Sequence, residues 1–301
     1  MTKFAVFYLF SETTSSFALQ RLKRLRVLNP DVTFVPVVGI RQLVYLPLII
    51  DQFKPGTLQR RRLFGPITHL VNSFVLSMPG VFGFSHVLNK KFGAFTSRKK
   101  LTELRRKMNH EELQTFHADF TPMVLYNGDY SIMDWFSSSG KLLDFDYLIF
   151  YEADIYTTKP LSSIYKRYAE SYDVCFNDYG LATQSWVFFN YPPGCNRSTR
   201  RWLEKRKLPT TLYRSLFGGM LISRFVLERL KDLKIDFSGT PYCVAEMRLP
   251  TVLTDLGFKC GRLNFPFYRY RPVWSEEEIS SNEDEGIFHP VKTLISAETK
   301  Y

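Results

Sequence analysis

The sequence is short of the signatures that most readily name a chemistry. Its four cysteines, Cys175, Cys195, Cys243 and Cys260, form no CxxC pair, which excludes a zinc ribbon and reads as reduced, buried thiols of a cytosolic protein. No GxGxxG follows the first apolar run, no GxxxxGKS/T occurs anywhere, and no GxSxG elbow is present. A standard dinucleotide site, a P-loop and an α/β-hydrolase nucleophile therefore have no support. The apolar stretch in MTKFAVFYLFSETTSSF is too short for a signal-peptide core with a cleavage site behind it, so it reads as a first strand. The Asn196-Arg197-Ser198 sequon would matter only in a secretory lumen. The expected location is the cytoplasm or the cytoplasmic side of a membrane surface.

What is present argues for a folded globular chain: 301 residues, 45% apolar and 16% aromatic, enough for one large core or two modest ones. The formal charge of +11 is concentrated. Residues 41–110 carry thirteen Lys and Arg against Asp51 and Glu103, and so account for the whole excess. A local basic excess points to a local anionic partner: phosphate, an anionic membrane surface or an acidic glycan.

KFAVFYLF (3–10) has strand length. SETTSSFALQRLKRLRVLNP follows with Phe17, Leu19, Leu22 and Leu25 near helical spacing, and Asn29-Pro30 stops it. VTFVPVVGI (32–40) is a second strand. A strand–helix–strand opening begins a parallel α/β sheet. The pattern then breaks. Residues 63–89 hold no formally charged residue, are interrupted by Pro66 and Pro79 and by Gly65, Gly80 and Gly83, and are flanked by Arg60-Arg61-Arg62 and Lys90-Lys91. This stretch is too broken to be assigned as a spanning helix. It reads either as a buried helix–loop–helix insertion or as an interfacial hairpin whose basic flanks, within 60–107, meet anionic lipid. The segment 97–116 reads as an exposed amphipathic basic helix. No nucleic-acid-binding motif accompanies it, so no nucleic-acid partner is expected.

Regular structure resumes with a strand predicted over 121–128 and a short helix over 129–140, with Asp129 as N-cap. A strand over 145–154 follows, then a helix behind Lys159-Pro160 and a strand over 172–180. Residues 215–233 read as turn, short strand and helix. Residues 240–258 read as a helix ending near Gly257. The stretch DYLIFYEADIYTTKPL (146–161) poses the central question, because an apolar strand ends on Glu152-Ala153-Asp154. Strand alternation puts both acids on one side, and two carboxylates so close repel unless solvent, a basic group or a divalent metal lies between them.

FYEADIYTTKPLSSIY resembles the DxD region of GT-A-fold glycosyltransferases. GGMLISR (218–224), AEMRLPT (245–251) and FHPVKT (288–293) are similar, in order, to that fold's Gly-rich strand, acceptor-side acidic helix and C-terminal histidine segment. The resemblance covers about 1–40 and 120–295 and leaves 41–119 outside. It departs from the pattern in having Glu for the first Asp, one acid (Glu246) where a doublet is usual, and no Gly or Lys-Pro-Trp context around the histidine.

The resemblance implies one GT-A-like domain with a Rossmann-type mixed sheet flanked by helices. Residues 1–170 would form the nucleotide-sugar half, with the basic and apolar helical insertion at 41–119, and 171–301 the acceptor half. It implies a nucleoside-diphosphate-sugar donor, a glycan, lipid-linked or protein acceptor, and Mn2+ or Mg2+ as cofactor. Asp154 and His289 are the expected metal ligands, with Glu152 reaching the ion through water or binding the ribose. Glu246 is the expected general base, Asp178 its rival, and Arg248 the residue that holds Glu246 or the diphosphate. Tyr8, Phe10, Ser11, Asp129, Ala153, Gly218, Gly219 and Lys292 complete the expected nucleotide-sugar contacts. Trp186 and the aromatic stretch 267–274 offer faces for acceptor sugars or for core packing.

Overall fold

The computed structural model describes residues 2–11, 14–40, 102–103, 106, 114–117, 124–186, 188–189, 194–235, 237, 244–266, 268 and 272–299. β1 (Phe4–Ser11) leads into α1 (Ser15–Leu28) and β2 (Thr33–Ile40). After residues outside the described set come β3 (Gln114–His117), α2 (Val124–Ser138), β4 (Tyr147–Glu152) and β5 (Tyr156–Thr157). Then follow α3 (Leu161–Ala169), β6 (Val174–Leu181), α4 (Cys195–Lys205), β7 (Tyr213–Ser223) and α5 (Arg224–Asp232). α6 (Ala245–Asp255), β8 (Cys260–Leu263), α7 (Glu276–Ser280) and β9 (Ile287–Phe288) complete the set.

Seven strands form one mixed sheet in the order β3-β2-β1-β4-β7-β6-β8, and β5 and β9 pair separately. β3, β2, β1 and β4 run parallel, and β7 enters antiparallel beside β4. The α/β class is what the strand–helix–strand opening predicts, and the mixed, helix-flanked sheet is what the resemblance implies.

The central strands are apolar without a break because both faces are covered. Ala5, Phe7 and Leu9 of β1, with Leu148 and Phe150 of β4, face a core shared with α2, α4, α5 and α6. Phe4, Val6, Tyr8 and Phe10, with Ile149 and Tyr151, face a second core under α1 and α3. Phe7 stacks on Phe150 at 5.7 Å, and Tyr8 on Tyr151 at 5.8 Å, one pair on each face. A third, small cluster joins Tyr156, Trp274, Ile279, Phe288, Val291 and Ile295 beneath the β5–β9 pair, which seats the C-terminal segment.

Two expected elements change type. The strand predicted over 121–128 is helical from Val124, so Asp129 lies in mid-helix and caps nothing. Periodicity decides it: Ile132, Met133, Trp135 and Phe136 are buried on one helical side. Gly128, read as the end of a strand, lets the helix lie close to the sheet; a Cβ there would meet a Phe217 ring carbon at 2.6 Å. The helix predicted over 97–116 does not reach its expected end, because Gln114–His117 pairs with β2 as an edge strand. Thr102, Glu103 and Arg106 are helical and exposed; the rest of 41–113, with the apolar stretch 63–89, lies outside the described residues. Among the described residues no helix is long and apolar enough to cross a membrane. Within 215–233, residues up to Ser223 belong to β7, with Gly218 and Gly219 in its interior. Cys175 and Cys195 are buried free thiols and Cys260 is half-buried; Cys243 lies outside the described residues.

Candidate metal centre

β1 and β4 carry their carboxyl ends to the same edge, where open α/β sheets place ligands. A cleft of about 390 Å³ opens there, lined by Leu9, Phe10, Thr14, Phe17, Glu152, Ala153, Asp154 and Lys292. Glu152 is the last residue of β4. Asp154 reaches the same place by a turn, not by strand alternation: Ile155 N–H donates to Glu152 O at 2.9 Å, closing the backbone around Ala153.

The C-terminal segment supplies the third group. His289 follows β9, and Val291 N–H donates to Asp154 O at 2.7 Å. His289 Nε2 stands 3.4 Å from Asp154 Oδ1. One side-chain ligand atom from each of Glu152, Asp154 and His289 lies within 4.8 Å of the others. Tyr268 stacks on the imidazole at 4.3 Å and 14°, and Trp274 Nε1 donates to the His289 backbone carbonyl at 3.1 Å.

The charges respond as an unneutralised acid pair should. Burial, then the Asp154 charge, pushes Glu152 up to about 7. Burial works to raise Asp154 as well, but the hydrogen bond and charge of His289, with Lys292, outweigh it and hold the carboxyl below its usual range. Two carboxylates and one imidazole around a common point form a donor set that fits a divalent ion, Mn2+ better than Mg2+ because of the nitrogen.

Gly218 and Gly219 frame the β7 side. A Cβ on Gly218 would lie 2.2 Å from Tyr268 Oη and 2.7 Å from Glu152 Oε2, so only glycine lets β7 pass this close to the acids. Gly219 has φ +78°, and its carbonyl accepts from Tyr165 Oη at 2.9 Å. Asn177 Nδ2 donates to the Gly218 carbonyl.

Glu246 sits in the first turn of α6, buried, with Oε1 accepting from Phe217 N–H at 3.1 Å. Its Oε2 is buried without a hydrogen-bond partner. Burial above all, and the Glu152 charge in addition, raise its pKa well above the carboxylate range. Asp178 takes φ +50° where β6 loses register with β7, and its Oδ1 accepts from Arg214 Nη2 at 3.0 Å.

Several expected contacts are not brought to the cleft. Arg248 and Asp129 bury each other completely in a bidentate pair, Nε to Oδ2 at 2.6 Å and Nη2 to Oδ1 at 2.5 Å. Neither side chain therefore has surface to offer a nucleotide, and Arg248 does not hold Glu246. Tyr8 points beneath α1, where its hydroxyl donates to Ala18 O at 2.8 Å; alternation puts it in the core. Trp186 and Trp274 are buried, which gives them the packing role; residues 267 and 269–271 lie outside the described set. Ser11 is the last residue of β1.

Thr14 and Phe17 in the cleft wall went unread, as did the residue beneath the floor, Arg21. Phe17, Arg21 and Leu25 recur every fourth residue and so share one helical side; this spacing was the available signal.

No protein-family model matches the chain, and neither does any curated protein. Among solved structures, the chain is similar to the galactosyltransferase LgtC in complex with donor and acceptor sugar analogs, at 9% identity and TM-score 0.37, over 87% of this chain and 74% of that one. It is also similar to an active-site mutant of LgtC, at 9% identity and TM-score 0.37, over 92% of this chain and 78% of that one. At a TM-score of 0.37 and 9% identity, the likeness does not assign a reaction.

Proposed function

We propose that the protein is a divalent-metal-dependent, GT-A-like glycosyltransferase. It would move a sugar from a nucleoside-diphosphate sugar to a hydroxyl of a glycan, lipid-linked or protein acceptor. The observation that carries this reading is the meeting of Glu152, Asp154 and His289 within 4.8 Å at the carboxyl ends of parallel strands. Glu152 and Asp154 line a cleft that Lys292 also lines.

Asp154, His289 and Glu152 would hold the ion, which supplies positive charge against the leaving diphosphate. Lys292 adds a second cation at the same cleft. Phe10, Thr14 and Phe17 would form the wall for the nucleoside, with Ser11 and the Ala153 backbone at its edge. Gly218 and Gly219 leave room for the sugar beside Glu152. Glu246 is the proposed base that takes the acceptor proton in an inverting transfer with oxocarbenium character. Its pKa is raised in part by the Glu152 charge, so neutralising Glu152 brings Glu246 closer to the ionised form a base requires.

A retaining course is the second reading. It is favoured by the burial of Glu246 and by the hold of Arg214 on Asp178, since neither acid stands as an exposed, unpaired base. The anomeric configuration of the product, read by NMR, decides between the two. The basic segment 60–107 is proposed to meet an anionic membrane surface. Co-flotation with phosphatidylserine liposomes tests this, and failure to float removes it.

The deciding experiment for the function is a thermal-shift panel of nucleotide sugars with and without Mn2+, on the wild type and Asp154→Ala. A ligand that binds only the folded state raises Tm by mass action. The reading expects a Mn2+-dependent rise with one nucleotide class, lost in Asp154→Ala. No rise with any nucleotide would sink it.

A further inference from the structure

One guanidinium ties together the three stretches of chain that make the metal centre. Arg21, in the second turn of α1, has no exposed side-chain surface, and neither has Glu298. Arginine offers five N–H donors, and here every one is used. Nε donates to Glu298 Oε1 at 2.7 Å and Nη2 to Glu298 Oε2 at 3.1 Å. The second Nη2 hydrogen goes to Thr293 O at 2.8 Å. Nη1 donates to Ala153 O at 2.6 Å and to Val291 O at 2.9 Å. Ala153 is the residue between the two acids; Val291 and Thr293 flank Lys292, just after His289.

Glu298 is anchored in turn. Its Oε2 accepts from Ile295 N–H at 2.9 Å, and its carbonyl accepts from Gln20 Nε2 at 2.9 Å. The rings of Phe17 and Tyr156 lie 5.3 and 5.6 Å from the guanidinium carbon, which keeps the pair out of water. A buried ion pair does little for stability beyond what well-packed apolar side chains would give. This one does something that apolar side chains could not do: it presents three donors to the backbone of both ligand-bearing segments.

We propose that Arg21 and Glu298 are positioning residues of the metal centre. The pair docks the C-terminal segment 289–299 onto the Glu152–Asp154 turn and sets the spacing of His289 against Asp154. Outer partners that orient metal ligands typically matter about 10–100-fold in metal affinity. The affinity arm of the test rests on the metal reading above; the exchange arm does not.

The test uses the full chain with Arg21→Lys, Glu298→Gln and, as a control at an equally buried pair, Arg248→Lys. Mn2+ binding is followed by EPR, and amide exchange at Val291, whose N–H bonds Asp154 O, by NMR. Arg21→Lys keeps the charge but not the planar fork. It is expected to weaken Mn2+ binding by about tenfold or more and to speed exchange at Val291, with β1 and β4 unchanged. Glu298→Gln is expected to act in the same direction, and carries the test if Arg21→Lys does not fold. Arg248→Lys should lower Tm and leave both readouts at wild-type values. Wild-type exchange at Val291 in both clasp variants would overturn the proposal, whatever the metal does. Wild-type protein that binds no Mn2+ would instead overturn the metal reading, and the exchange data would still judge the clasp.

Discussion

Among the described residues two arginines are buried in forked pairs with carboxylates, one in the core and one at the cleft. Arg248 and Asp129 join α6 to α2 in the larger core, with Trp202 and Phe237 about the guanidinium. Arg21 and Glu298 join the first helix to the last turn of the chain. Both pairs are bidentate through Nε and Nη2, and all four side chains are without exposed surface. The first pair joins two helices of the core. The second stands at the cleft, where Arg21 spends three donors on the backbone of Ala153, Val291 and Thr293. Through those backbone groups, this buried ion pair reaches both ligand-bearing segments.

The largest effects come from removing one partner. Arg21→Ala and Arg248→Ala each leave a buried carboxylate uncompensated and should each cost about 3–5 kcal/mol in urea unfolding. Where the comparison sharpens is in apolar replacement of both partners. Packed apolar side chains replace a buried ion pair at little cost when the pair is all that is lost. Arg21→Met with Glu298→Leu should not recover. It strips the arginine donor from three carbonyls, and each buried carbonyl left unsatisfied costs about 1–3 kcal/mol. Full recovery of stability in the Arg21→Met, Glu298→Leu double variant would remove the role given to the three backbone bonds.

Gly218→Ala tests the same side of the molecule at intermediate size. Its Cβ would overlap Tyr268 Oη, an overpacking that costs about 1–3 kcal/mol. It should also displace the ring stacked on His289, weakening Mn2+ binding more than Tm falls; a loss of Tm alone would count against the Tyr268 contact. The smallest effect is on pH dependence. Glu152 titrates near 7 in the folded chain against an ordinary 4.5, so the folded state holds a proton that the unfolded state releases. Its contribution is fully present below about 4.5 and is lost as pH rises through about 7. The metal-free protein should lose stability over that window. Glu152→Gln should flatten the decline, leaving the same-signed part from Glu246, whose burial also raises its carboxyl.

The sheet was legible because its central strands are buried on both faces and read as unbroken apolar runs. The meeting of Glu152, Asp154 and His289 was legible because the resemblance sets the Glu-Ala-Asp turn and the FHPVKT segment in one fold. Asp129 was misread because Gly128 imitates a turn, when its purpose is close helix–sheet approach. Arg248 and Tyr8 were placed in the cleft because polar tips look functional in sequence, whereas packing against α2 and α1 buries them. Arg21 went unread for the converse reason: in RLKRLR it looks like one of several solvated cations, and only contact with residue 298, at the far end of the chain, gives it a role.

The most direct test of the central claim is Mn2+ binding to the wild type, Asp154→Ala and His289→Ala, followed by EPR of the free ion near pH 8, above the value of about 7 to which Glu152 is pushed. The account predicts one site per chain in the wild type and none in either variant. Absence of a site in the wild type, or equal binding by both variants, would contradict it.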